Sequence, residues 1–205
     1  LHVLNLVSDG TLVYANGRVT CVDAYHVCHD QVPPHALSVH LHGGTVLPGL
    51  TSYGSTLGLS DVPSESSASN GQDPSLLTRH LYLDTKRLVP RAEDGLIFGG
   101  HALRRAHASG VTTAVNVPAT IGMFGGVSTH FDTGARTVLD AHSVRTSEVA
   151  LHVRLAYPID DHEPSLATQL ALLRSLLRNP PPGSVEWHRV SRGEWPLVVK
   201  TNAQD

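Results

Sequence analysis

The chain has 205 residues, 40% of them hydrophobic and 16% charged, with a formal net charge of −3. That is the composition of a folded globular chain, with room for one large core or a domain and a half. It lacks the basic excess that nucleic acid requires, and no apolar run approaches the ~18 residues of a membrane span.

Residues 1–42 read as β structure. Leu12 to Ala15 and Arg18 to Val22 flank Asn16-Gly17, a strong hairpin signal because both central residues must take positive φ. Cys21 and Cys28, with His26 and His29 beside them, are too few for a disulfide framework and match no zinc spacing. They read as strand and loop residues, and the fourteen histidines scatter along the whole chain. Pro33-Pro34 breaks the next segment. Leu37, Val39 and Leu41 then alternate with Ser38, His40 and His42, which predicts a half-buried strand with one polar face. Alternation alone puts both histidines on that face, without a metal.

In 43–58, GGTVLPGLTSYGSTLG, an apolar run (Thr45, Val46, Leu47) meets Pro48-Gly49-Leu50 and then a small polar tip. This order predicts a buried strand that delivers residues to a solvent-facing mouth. Residues 61–75, rich in Ser, Pro, Gly, Asn and Asp, read either as a loop over that mouth or as a tolerated disordered insertion.

Residues 94–110 carry helix grammar: Asp94 as cap, Leu96, Ala102, Leu103 and Ala106 as stripe, Gly110 as stop. Val111 to Val117 is a β-branched buried strand ended by Pro118. In 122–134, GMFGGVSTHFDTG, a glycine-rich turn runs into a short strand, with no helix start or lysine to support a phosphate loop. His130 and Asp132 share one side of that strand, as a catalytic pair or as a surface pair.

Residues 148–157 predict another strand, and Asp160 to Glu163 a solvated acidic turn. The helix over 165–178 shows Leu166, Leu170, Leu173 and Leu177 at helical spacing. After Asn179 to Gly183 comes a hydrophilic connector with Trp187 and Trp195, then a strand from Pro196 that ends in Lys200-Thr201-Asn202. The chain begins at Leu1 without the charged and apolar segments of a signal peptide. It stops at Asp205, just past a strand, which predicts a piece of a longer protein. A complete eight-stranded barrel needs about 250 residues.

Two of these runs resemble the amidohydrolase superfamily, metal-dependent hydrolases of C–N and related bonds, in the imidazolonepropionase and composite-domain type. The first barrel strand of that family reads GG-x-V-x-PG-L-I-D-x-H-x-H, and Gly43, Gly44, Val46, Pro48, Gly49 and Leu50 match it. Ser52 stands in place of the Asp, and Gly54 and Thr56 take the positions of the two metal-binding histidines, where neither supplies an imidazole. SGVTTAVNVPA (109–119) resembles the second-strand signature. The resemblance implies an α/β fold: the N-terminal part of a small β-sandwich subdomain over 1–44, then a partial TIM-type (β/α) barrel over 45–205. The remainder of the same polypeptide would complete both.

As activity, the resemblance implies a hydrolase acting on non-peptide carbon–nitrogen bonds of a small-molecule substrate. Its divalent metal, zinc, would meet a degraded site here. The alternative is a catalytically inactive amidohydrolase-fold binding protein. Lys200 stands where members present a metal-binding His or a carboxylated Lys, and it also reads as a strand-end lysine reaching water. Neither a nucleic acid nor a membrane is expected as partner.

Overall fold

The computed structural model describes residues 7–62, 72–73, 89–120, 122–158 and 164–201. The chain divides into two compact units, Leu1–Leu47 and Pro48–Asp205.

In the first unit, β1 (Gly10–Ala15) and β2 (Arg18–Ala24) form an antiparallel hairpin. Asn16 and Gly17 turn it at φ of 51° and 78°, the primed geometry that follows strand twist. A short helix, α1 (Tyr25–Cys28), folds back, and Cys28 is disulfide-bonded to Cys21 of β2. This corrects the reading of the two cysteines as unlinked strand and loop residues: the return of α1 brings their Cα atoms to 5.7 Å. A second correction concerns 37–42. The segment has no ladder partner among the described residues, Leu37, Val39 and Leu41 are exposed, and His42 has a φ of 47°. Period-2 alternation marks a strand only where a neighbouring strand takes up its N–H and C=O groups.

The second unit is mixed α/β. One sheet has the order β3-β5-β8-β9, formed by Leu50–Tyr53, Val111–Asn116, Thr129–Asp132 and Val144–Thr146. Here β3 and β5 are parallel, while β8 is antiparallel to both β5 and β9. A second sheet has the order β11-β10-β7, formed by Leu197–Thr201, Leu151–Leu155 and Phe124–Val127. Its β10–β11 pair is parallel and its β10–β7 pair antiparallel. Two-residue strands β4 (Gln72–Asp73) and β6 (Ala119–Thr120) pair separately. Barrel closure is not seen among the described residues, and the antiparallel members depart from the all-parallel order expected.

Three helices cover these sheets on one side each. Leu103 of α2 (His101–Ala108) packs on Ala114 and Phe131. Leu173 of α3 (Leu166–Arg178), with Trp187 and Val190 of α4 (Val185–Ser191), packs on Val127, Leu151, Val153 and Leu155. These clusters identify the covered face of each sheet. The opposite faces, which carry the intervening residues, are free of these helices.

The expected helix over 94–110 is shorter than its pattern. Ala92–Gly95 form a 3-10 turn, Gly99 has a φ of 71°, and α2 starts only after Gly100. Its cap comes from elsewhere in the chain: Asp61 Oδ1 accepts a hydrogen bond from Ala102 N at 2.7 Å. In α3 the cap lies within the same segment, with Ser165 Oγ accepting from Thr168 N at 3.3 Å. Thr45 to Leu47 lie outside β3, with Val46 and Leu47 exposed. The connector with Trp187 contains α4, and both tryptophans are core. Residues 160–163 and most of 61–75 lie outside the described residues.

Candidate functional site

The polar tip after β3 is held by its own side chains. Ser52 Oγ donates to Ser55 Oγ at 2.9 Å, and Ser55 Oγ donates to Asn116 Oδ1 at 3.2 Å. Asn116 Nδ2 donates to Leu57 O, and Leu57 N donates to Ser55 Oγ at 3.4 Å. Asn116, at the end of β5, is fully buried, so this ring of bonds satisfies an amide that water cannot reach. Gly54 and Thr56, expected two residues apart on one strand face, lie beyond the strand end at Tyr53. Both are exposed, and Gly54 has a φ of 69°. A glycine suits that backbone; an L side chain is strained there.

The strand-end side chain that points to the helix-free face is Tyr53. It pairs in register with Val115, which pairs with His130, while Ala114 and Phe131 face α2. In the second sheet Leu151, Val153 and Leu155 face α3 and α4, so His152 lies on the other side. The two helix-free faces meet: the Tyr53 and His152 rings lie 6.2 Å apart, with planes inclined by 30°. His152 is only 7% exposed, and burial pulls its pKa down to about 4. His130 is also lowered, by burial first and then by Arg145, against an opposing effect of Asp132. The buried Nε2 atoms of both imidazoles have no hydrogen-bond partner among the described residues.

Asp132 and His130 share the same strand face, but Asp132 is committed elsewhere. Its Oδ2 accepts from Arg145 Nη2 at 3.0 Å and its Oδ1 from Gly134 N at 2.9 Å. Burial alone would raise its pKa; these donors hold it below the usual carboxylate value. Lys200 is exposed near the end of β11, in register with Arg154 of β10.

The residues after β3 do not fit a divalent metal. Ser52, Ser55 and Asn116 offer hydroxyls and an amide already engaged with one another, and Gly54 has no side chain. Zinc is held by thiolate, imidazole or carboxylate. Among the described residues no group of three or more His, Cys, Asp or Glu could hold a metal ion. No described helix is long and apolar enough to cross a membrane.

Sequence reasoning passed over Tyr53, Asn116 and His152. For His152 a signal existed: Leu151, Val153 and Leu155 alternate with His152 and Arg154, which places the imidazole opposite the core face. Gln169 was passed over too, and it closes the end of β10. Its Oε1 accepts from Ala156 N at 3.0 Å, and its Nε2 donates to Ala156 O and Pro164 O, both at 2.8 Å.

No family model matches the chain. The amidohydrolase tasK of Hapsidospora irregularis is 34% identical over 150 residues, which are 68% of this chain and 14% of that protein. The crystal structure of an amidohydrolase from Thermotoga maritima MSB8 superposes with a TM-score of 0.54 at 20% identity. That superposition covers 89% of this chain and 41% of the other, and shows likeness of fold. The chain therefore spans a minor part of the length of each protein it matches. It belongs to the amidohydrolase family.

Proposed function

We propose that the chain is the N-terminal part of an amidohydrolase-type (β/α) barrel over 45–205, preceded by part of a β-sandwich subdomain over 1–44. The whole protein hydrolyses non-peptide carbon–nitrogen bonds in a small-molecule substrate. The observation that supports this best is the pair of imidazoles of half-buried His130 and buried His152, whose buried Nε2 atoms have no hydrogen-bond partner among the described residues. A barrel kept for its fold alone would fill such positions with apolar side chains. In this reading the substrate lies over Tyr53, and His130 accepts a proton from water. Burial and Arg145 keep that imidazole neutral, and so able to accept, near pH 7. Asp132, fixed by Arg145, shapes the rim and does not orient His130. Ser52, Gly54 and Thr56 offer no thiolate, imidazole or carboxylate, so in this reading any metal used by the whole protein takes its ligands from other segments.

A second reading, a non-catalytic binding module, is favoured by the closed Ser55–Asn116–Leu57 ring of bonds at the strand tip, into which Ser52 donates. Amine release by the full-length protein from a panel of small amides, cyclic amides and ureas separates the two. The hydrolase reading expects turnover that His130→Gln lowers at least about a hundredfold, the smaller end of a general-base effect. Absence of turnover across the panel, with and without added zinc, overturns it in favour of the binding module.

A further inference from the structure

The disulfide of the first unit joins two cysteines that differ in access. Cys21, on β2, is half-buried, whereas Cys28, at the end of α1, is 0% exposed. Almost no core surrounds their bond: Val13, the register partner of Cys21, and Cys28 itself are the only buried residues of this unit among those described. The β1–β2 ladder pairs Gly10 to Ala15 with Arg18 to Ala24 through backbone hydrogen bonds that do not involve the sulfurs. Helix α1 is a single turn without a side-chain cap, too short to hold its shape unaided. The ring closed by the disulfide spans a sequence separation of 7, and a short ring constrains the unfolded chain less than a long one. Opening the bond therefore leaves the hairpin paired and asks only the α1 turn to shift. A thiolate that opens a disulfide must reach the sulfur it attacks, and of these two residues only Cys21 is open to such an approach.

We propose that Cys21 is a thiol-exchange site, which takes a small-molecule thiol of the glutathione class into a mixed disulfide while Cys28 serves as the leaving and returning sulfur. The incoming thiolate forms an S–S bond to Cys21 Sγ. The Cys21–Cys28 bond breaks, and its electron pair goes to Cys28 Sγ, which takes a proton from water. The resulting thiol has an acceptor at hand, because Cys28 Sγ lies 3.6 Å from Thr11 O. When Cys28 loses that proton again, its attack on Cys21 Sγ expels the small thiol and restores the bond. Attack by a second small thiolate on the adduct instead yields the disulfide of the small thiol and leaves both cysteines reduced.

The test exposes full-length protein, with its disulfide intact, to excess reduced glutathione for a short time. Acid quenching, digestion and tandem mass spectrometry then place the adduct. The native protein should carry glutathione on Cys21 at least about tenfold more than on Cys28, and the same protein in denaturant should carry it on both to a similar extent. Two variants challenge the asymmetry with glutathione disulfide as the probe. Cys28→Ser should form an adduct at Cys21 that survives removal of the probe, because no neighbouring thiol expels it. Cys21→Ser should leave Cys28 modified at least about tenfold more slowly. The wild-type mapping decides the matter even if a variant fails to fold. An even distribution in the native protein, a majority on Cys28, or an adduct that forms only in denaturant overturns the proposal, the last by making the bond a closed structural staple.

Discussion

Gln169 gives the most direct test of how the end of β10 is held. Its amide makes three hydrogen bonds to backbone, two of them to the buried Ala156. Replacing it with Leu keeps the volume roughly constant and leaves the Ala156 N–H and C=O without partners. Each orphaned buried group costs about 1–3 kcal/mol, so Gln169→Leu should lose roughly 2–6 kcal/mol of local stability. Hydrogen exchange of the peptide over 151–158, followed by mass spectrometry in the full-length protein, reads this directly. A loss of 2 kcal/mol accelerates exchange about thirtyfold. Gln169→Glu adds a pH signature. Its carboxylate would face the Ala156 and Pro164 carbonyl oxygens, so its folded-state pKa would lie above the unfolded value. The stability it contributes as a protonated donor is present at low pH and lost as pH rises through the folded pKa. Exchange in Gln169→Glu should therefore be slower at pH 4.5 than at pH 8, after correction for intrinsic rates. Unchanged protection in Gln169→Leu would refute the claim that this side chain closes the strand end.

Two further outcomes follow from geometry already described. His152 is held at about 4 in the folded protein, below the ordinary value of 6.5, so the unfolded chain binds its proton first as pH falls. Its contribution to stability is complete above the unfolded value and is lost as pH drops from about 7 towards 4, by roughly 1–3 kcal/mol after allowance for screening. His152→Phe should flatten that part of the melting-temperature profile, and an unchanged slope would count against the buried neutral imidazole. Gly126 has a φ of 92°, and a Cβ there would stand 2.2 Å from Pro90 O. Gly126→Ala should destabilise by more than about 2 kcal/mol, read as a lower thermal midpoint, because backbone strain and a backbone clash combine.

The elements legible in the sequence were those whose pattern is local. Asn16-Gly17 specified its turn, Val111 to Asn116 its strand, and Ser165 with the leucines after it α3. Where a partner far along the chain decides, the pattern misled. The 37–42 alternation found no neighbouring strand among the described residues, and α2 began only after Gly100, with Asp61, and not Asp94, supplying its cap. Helix α4 was hidden in a connector that looks hydrophilic because only Trp187 and Val190 turn inward. At the candidate site, the departures at Gly54 and Thr56 could be read directly, since a missing imidazole is a matter of residue identity. That Tyr53, His130 and His152 share the helix-free faces depends on two cross-strand registers and one contact between sheets, none of which the linear order contains.

The links between the β3 tip and the segment that follows Gly100 cross a long stretch of intervening chain. β3 lies in the β5 ladder, Asp61 caps α2, and Ser55 and Leu57 are bonded to Asn116. Each link joins residues before position 63 to residues after position 100, and none needs the peptide bonds between. A protease cut between 63 and 88 would therefore sever the polypeptide without separating the assembly. The two pieces would migrate apart in denaturing gels and stay together in native ones, held by a parallel ladder, a borrowed helix cap and a buried amide.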